Sequence, residues 1–317
     1  MAFLKLPFKK QEKIKDFLLI EIGLEVVNMA KLTTDGGPKI QEVGSRNFSS
    51  VSEMFNASLE AIDELAGKTE EIPKKAIIGV SGGSIKTETT VAQYTRPNPK
   101  EPISGEEVAK VLEEVSGKGG FPGFKLFFST IASATLDGTK VSNPIGLKGD
   151  KVALSCFIAY KDPEELAVFD KLINEIDMEL EKIIPTSFAA AKMMLKKGDE
   201  NALILRVGKG RCEATFLSKG HISEINRFDL GIGSPDLFLT GFEVVLEKLL
   251  KESAPELVWL YLDNQEIDAA ELKEKLLEFD WKNAGLDRSP SVEVEEAAVK
   301  EVSEQVGLQA LSTEAIE

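Results

Sequence analysis

Residues 17–23 read FLLIEIG and residues 201–208 read NALILRVG, and each opens the same succession of segments. After the first come EVVNMAKL (25–32) and PKIQEVGSRNF (38–48), a helical stretch around Met54 to Leu65, and the apolar run AIIGV (76–80). After the second come CEATFLS (212–218) and HISEINRFDLG (221–231), a helix from about Phe238 to Leu250, and ELVWLYLD (256–263). Short apolar runs bounded by turn residues read as buried strands, and the longer amphipathic stretches read as helices. Both copies therefore read β-β-β-α-β, and two such half-folds facing one another enclose a cleft. In each copy a tight turn follows the first apolar strand, at Gly23 in one and at Gly208-Lys209-Gly210 in the other. Glycine allows such turns to aim backbone amides at a phosphate, and it equally suits a plain hairpin. Both readings stand at this point.

Composition narrows the classes. A length of 317 residues suggests about two domains, and 43% hydrophobic content can fill a core in each. A net charge of −15 excludes a nucleic-acid partner, because a basic surface supplies most of that affinity. Cys156 and Cys212 lie far apart inside apolar strands and read as buried free thiols of a reducing compartment. No apolar run approaches the roughly 20 residues of a membrane span, and no signal peptide is evident. The expectation is a soluble, cytoplasmic protein.

The segment between the copies carries a module of its own from about residue 82 to 160. SIKTETTVAQYT alternates as a strand, and Ser104 with Glu107 forms a capping box ahead of GEEVAKVLEEV. GKGGFPGF is irregular, and KLFFSTIASATLDG and KVALSCFIAYK are strands flanking VSNPIGLKGD. Helices are expected over Pro163 to Glu175 and Ser187 to Leu195, with the short strand LEKIIP between them.

The order of these parts resembles the actin-like ATPase superfamily, and the module resembles the extra subdomain of bacterial FtsA-type cell-division proteins. The residues that carry the resemblance are Asp137-Gly138 and Asn143-Pro144-Ile145-Gly146-Leu147 with Gly149, feeding VALSCFIAY. LINEIDMELEKIIPTSFAAAKMML is similar to the helix, strand and helix that lead to the family's second phosphate loop. The resemblance implies an α/β fold of duplicated, ribonuclease-H-like lobes. The first lobe would comprise 16–81 and 161–198, the α+β insertion 82–160, and the second lobe with a C-terminal helix 199–317. The second-lobe insertion is reduced to DLGIGSPDLFLT, which puts the family's FtsZ partner in doubt. PilM-type pilus proteins are the alternative within the same fold.

The phosphate loops depart from the family pattern. The first reads Glu21-Ile22-Gly23-Leu24-Glu25-Val26, without hydroxyl residues and with a second acid at Glu25. The second reads Arg206-Val207-Gly208-Lys209-Gly210-Arg211-Cys212-Glu213, with Arg206 where the family has an acid and Lys209 where it has a glycine. Basic residues can replace a metal beside phosphate, yet Asp263-Asn264-Gln265-Glu266 stands where the family closes the adenine pocket with a glycine-rich turn. The loops therefore predict a degenerate nucleotide site, no catalytic residues and no cofactor, with Mg²⁺-ATP in an active ATPase as the competing reading.

Three further motifs have residues that bear on function. Gly79-Val80-Ser81-Gly82-Gly83 matches GxSxG, but a nucleophile elbow must lead into a helix, so Ser81 reads as a turn residue. Ser84-Ile85-Lys86-Thr87 lacks the glycine a P-loop requires, and the single histidine, His221, reads as solvent-exposed at a turn. At the N-terminus, Phe3, Leu4, Leu6 and Phe8 interleave with Lys9, Lys10 and further lysines, as in segments that bind anionic membranes, or as a solvated basic start. The chain thus reads as a cytoplasmic scaffold peripheral to the membrane, in division or pilus assembly. It would bind protein partners or self-associate into filaments through the insertion, around Lys140, Asn143, Pro144, Gly146 and Lys148.

Overall fold

The computed structural model describes residues 16–34, 39–82, 84–141, 143–228, 235–249, 254–263, 268–286, 289–294 and 306–315. Strand β1 (Asp16–Ile22) buries six consecutive residues from Phe17 onward, as a strand covered on both faces must. It pairs antiparallel with β2 (Val26–Thr33), which pairs antiparallel with β3 (Lys39–Asn47). Helix α1 (Val51–Ala66) follows, its N-terminus capped by Ser50, whose hydroxyl accepts from the Glu53 amide. The chain returns as β4 (Lys75–Val80), parallel to β1.

The intervening module is β5 (Lys86–Thr95), α2 (Gly105–Ser116), β6 (Lys125–Leu136), β7 (Thr139–Val141) and β8 (Lys151–Lys161), with sheet order β5-β8-β6-β7. Only half of the expected capping box on α2 forms. The Ser104 hydroxyl accepts from the Glu107 amide, but the Glu107 carboxylate turns to Arg96, accepting from Nε at 2.8 Å and Nη2 at 3.1 Å. A fork of two charge-assisted bonds outweighs one bond to a neutral amide. The NPIGLKG turn is tied to the same corner: the Gly146 amide donates to the Ile103 carbonyl, and Ile103 donates back to Leu147, both at 2.8 Å.

Beyond the module run α3 (Pro163–Glu175), β9 (Glu179–Pro185) and α4 (Thr186–Lys197). The second copy is β10 (Ala202–Val207), β11 (Cys212–Ser218), β12 (His221–Phe228), α5 (Pro235–Leu249) and β13 (Leu257–Leu262). It continues as α6 (Ala269–Glu278) and β14 (Ser291–Val294), and α7 (Val306–Ala315) follows. The first sheet has order β3-β2-β1-β4-β9 and the second β12-β11-β10-β13-β14, so the two copies share one topology down to the direction of each pairing. The fold is the α/β arrangement of duplicated lobes that the resemblance implies.

Two placements were not read from the sequence. The four-residue strand β14 is the counterpart of β9. Helix α7, grouped by sequence position with the second copy, packs on the first sheet against β1, β4 and α4. Gly79 of β4 explains how: a Cβ there would collide with the Leu311 side chain, so the missing methyl makes room for the helix. The first sheet shares its core with Ala202, Ile204, Leu217, Trp259 and Tyr261 from the facing side of the second. The opposite side of the second sheet packs on α5, α6 and Trp281.

Candidate functional site

Alternation along β10 places Ala202 and Ile204 on the face toward the first copy, and Arg206 is the next residue on that face. Its register sets its neighbours, Glu213 of β11 on one side and Tyr261 of β13 on the other. Glu21 holds the same position in the first copy, the last residue but one of the first strand, with Asn28 of β2 and Gly79 of β4 beside it. The two copies face each other, so these equivalent residues meet. Arg206 Nη2 donates to Glu21 Oε1 at 2.5 Å and Nε donates to Asp263 Oδ1 at 2.5 Å. Nη1 donates to the Ser81 hydroxyl, and the guanidinium lies 5.3 Å from the Tyr261 ring centroid.

Secondary contacts hold these groups in place. Asn28 Nδ2 donates to the second oxygen of Glu21 at 2.8 Å, and the Ser45 hydroxyl donates to Asn28 Oδ1 at 2.7 Å. The Leu24 amide donates to Asp263 Oδ2. Glu213 accepts from Arg227 Nε at 2.8 Å and from the Gly82 amide at 3.3 Å, and Arg227 also reaches the Ile85 carbonyl. On the second loop, Glu25 accepts from the amides of Lys209 at 2.5 Å and Gly210 at 2.8 Å.

The side chains of Arg206, Glu21 and Asp263 are 2%, 1% and 3% exposed, so the ionic cluster is cut off from solvent. Burial alone would depress the Arg206 guanidinium, but Asp263 and Glu21 hold it well above its ordinary range. Burial raises Asp263 to about 6, aided by Glu21 and opposed by Arg206. Tyr261 and the Cys212 thiol are also pushed up by burial, so neither ionises near neutrality.

The space left among Glu21, Asn28, Arg206, Tyr261, Asp263 and Gly307 is about 10 Å³. That is roughly the volume of one water. Gly23 and Gly307 allow this closeness. A Cβ at Gly23 would press on Arg206 and Asp263, and one at Gly307 would strike the Glu21 carboxylate.

The structure gathers Glu21, Gly23, Arg206, Gly208, Lys209, Gly210, Arg211 and Glu213 around one cleft. Asn28, Ser45, Ser81, Arg227, Tyr261 and Asp263 complete it. The signal for Asn28 was a polar residue inside VVNMAKL, since a buried amide needs partners. Ser81 is followed by a strand rather than a helix, and its hydroxyl is engaged by Arg206. His221 differs from its expected exposure. It is half-buried, with Nδ1 2.6 Å from the Ser133 hydroxyl, because β12 packs there against the inserted sheet. Burial, then Lys140, depresses its pKa, against Glu200. Phe3, Leu4, Leu6, Phe8, Lys9, Lys10, Asn264, Gln265 and Glu266 lie outside the described residues.

A second concavity, a groove of about 980 Å³, runs between the inserted module and α4. Val108, Leu112 and Ile131 give it an apolar lining, with Lys140, Asn143 and Pro144 at one edge. Lys140 is tied to Glu200 at 2.9 Å, so it links the module to the second copy, whereas Gly146 and Lys148 are exposed on the turn beyond. Among the described residues, no group of three or more His, Cys, Asp or Glu is placed to hold a metal, and no helix is long and apolar enough to cross a membrane.

Arg206→Met would leave two buried carboxylates uncompensated, and this costs about 3–5 kcal/mol by the usual price of breaking a buried pair. Burial already raises Asp263, and the variant loses the Arg206 charge that opposes this rise, so its folded state takes up a proton at higher pH than the parent's. The stability deficit relative to the parent therefore narrows as pH falls from 7 toward 5, which urea unfolding at several pH values will read.

Comparison with known proteins agrees with the architecture. No protein-family model matches the chain. Among curated proteins it is similar to the cell division protein FtsA of Helicobacter pylori strain J99, 24% identical over 216 residues, covering 67% of this chain and 40% of that one. FtsA of Helicobacter pylori strain 26695 is 26% identical over 169 residues, covering 51% and 33%. The chain thus spans well under half the length of these relatives. Among solved structures, a chain of the PilM-PilN type IV pilus biogenesis complex matches with TM-score 0.59 at 14% identity, covering 95% of this chain and 98% of that one. A Bacteroides thetaiotaomicron protein with actin-like ATPase fold and unknown function matches with TM-score 0.51 at 11% identity, covering 95% and 96%. The chain has the actin-like ATPase fold, and its sequence is similar to FtsA.

Proposed function

We propose that this protein is a non-hydrolysing actin-fold scaffold that binds protein partners in a membrane-associated assembly, of the division type or, alternatively, the pilus type. The observation that carries this reading is the buried Arg206–Glu21–Asp263 cluster, which leaves about 10 Å³ at the centre of the cleft. Mg²⁺-ATP does not fit these residues. The metal would have to compete with Arg206 for Glu21 and Asp263, and Glu25 holds the amides of Lys209 and Gly210. The similarity to FtsA supports the division role, and the likeness to a chain of the PilM-PilN complex supports the fold on which either role would be built.

With the cleft filled, the groove beside the inserted module is the surface for a partner. Its apolar lining suits a peptide segment with apolar side chains, and a second copy of the chain is the alternative occupant. The inserted module is joined to the second copy by Lys140–Glu200 and by the Thr89 hydroxyl donating to the Ile222 carbonyl at 2.9 Å.

Two measurements test this. A ligand at 100 times its Kd adds about 2.7 kcal/mol of stability, so millimolar Mg²⁺-ATP is expected to leave the parent's melting temperature unchanged. A rise of several degrees, or turnover above background, contradicts the reading. Ala109→Arg puts a long cation into the groove from an exposed helical position. It is expected to reduce assembly size in light scattering or partner capture from native extract. Parent-like behaviour of the folded variant excludes this face.

A further inference from the structure

The two turns that follow β1 and β10 are closed by equivalent bonds. Gly23 donates to the Val26 carbonyl and Gly208 to the Arg211 carbonyl, each at 2.8 Å. Their next amides point across the cleft, and in both cases a carboxylate from the other copy receives them. The Leu24 amide meets Asp263, and the amides of Lys209 and Gly210 both meet Glu25, one on each carboxylate oxygen. Asp263 is already shared with Arg206, whereas among the described residues the bonds Glu25 accepts are these two from backbone. A Cβ on Gly208 or Gly210 would stand 3.2 Å or 3.1 Å from a Glu25 oxygen, so a side chain there would crowd the carboxylate.

Two convergent amides from successive residues, received by two oxygens of one anion, form an oxyanion cradle. We propose that Glu25 is a built-in anionic occupant of this cradle, standing where a phosphate-class oxyanion would otherwise bind, and that it clasps the two copies together. This rests on the reading of the cleft as filled by the protein's own side chains. It goes further by giving Glu25 the role of excluding such an anion from a turn whose two amides converge on one carboxylate. Three features support the assignment. The bond geometry is bidentate and charge-assisted, the stronger type of hydrogen bond. The surrounding charge also suits an anion once Glu25 is removed, because Arg211 belongs to the turn and Arg206 is paired with the buried acids Glu21 and Asp263. The contact also joins residues 184 and 185 positions apart, so it forms only when the copies have closed on each other.

Metal-free inorganic pyrophosphate is the probe, titrated calorimetrically into the parent, Glu25→Gln and Glu25→Ala, with amide ¹⁵N shifts followed in parallel. Glutamine keeps the length and an accepting oxygen but loses the charge, and alanine empties the cradle. Affinity is expected to rise in the order parent, Glu25→Gln, Glu25→Ala, with at least a tenfold gain from first to last. The Lys209 and Gly210 amide resonances should move on titration in the variants only. If Glu25→Ala does not fold, a gain of several-fold over the parent is required of Glu25→Gln. Equal binding by parent and variant, or binding that leaves those two amides unmoved, overturns the proposal. Failure here is separable from failure of the scaffold reading, which is decided by Mg²⁺-ATP on the unaltered protein.

Discussion

A guanidinium placed between two buried carboxylates governs the rest of this structure. Removing charges from water costs several kcal/mol per ion even after relaxation, so such a cluster survives only with close geometry and every remaining donor and acceptor engaged. Arg206 has close geometry, with a partner for each of its three nitrogens. Its Nε, Nη1 and Nη2 go to Asp263, Ser81 and Glu21, and its face lies on Tyr261. The acids are engaged in turn by Asn28 and the Leu24 amide. The cluster therefore dictates how near the copies approach, which residues must be glycine, and how little room is left between them.

The arrangement follows from duplication. Glu21 and Arg206 are equivalent positions of the two copies, and so are Ser81 and Asp263, each the first residue past the fourth strand of its repeat. The Ser81 amide donates to Ile22 and the Asp263 amide to Val207, at 2.9 and 2.8 Å, which shows the equivalence in the backbone as well. Two acids at the facing positions would repel each other across the cleft. One acid and one arginine attract, and a difference between the repeats at a single position turns a repulsive pair into a cross-link. The cross-link joins the two copies through their own side chains.

Much of this was legible in the sequence, because strands buried on both faces leave continuous apolar runs such as FLLIEI and LVWLYL, and the repeated order of those runs exposes the duplication. The altered loop residues were legible too, as departures from a pattern. Their pairing was not: Glu21 and Arg206 are 185 residues apart, and nothing local says that they touch. Glu25 shows in the sequence only as a second acid of the first loop, whereas its carboxylate sits on the opposite loop. Strand β14 has four residues, too few for periodicity to speak. Helix α7 was grouped with its neighbours in sequence, but the notch at Gly79 draws it to the first sheet. His221 looked exposed because it begins a hairpin strand, and only the packing of β12 on the inserted sheet buries it.

The central claim is that Arg206 and Glu21 act as one unit across the two copies. A double-mutant cycle measures this most directly, with urea unfolding of the parent, Arg206→Met, Glu21→Gln and the double variant. Groups in one buried network couple by about 0.5–3 kcal/mol, whereas independent sites add to within about 0.3–0.5 kcal/mol. The account predicts a double variant more stable than the sum of the single losses by at least 1 kcal/mol on this scale. Simple additivity would mean that the ion pair does not hold the copies together, and would contradict the account.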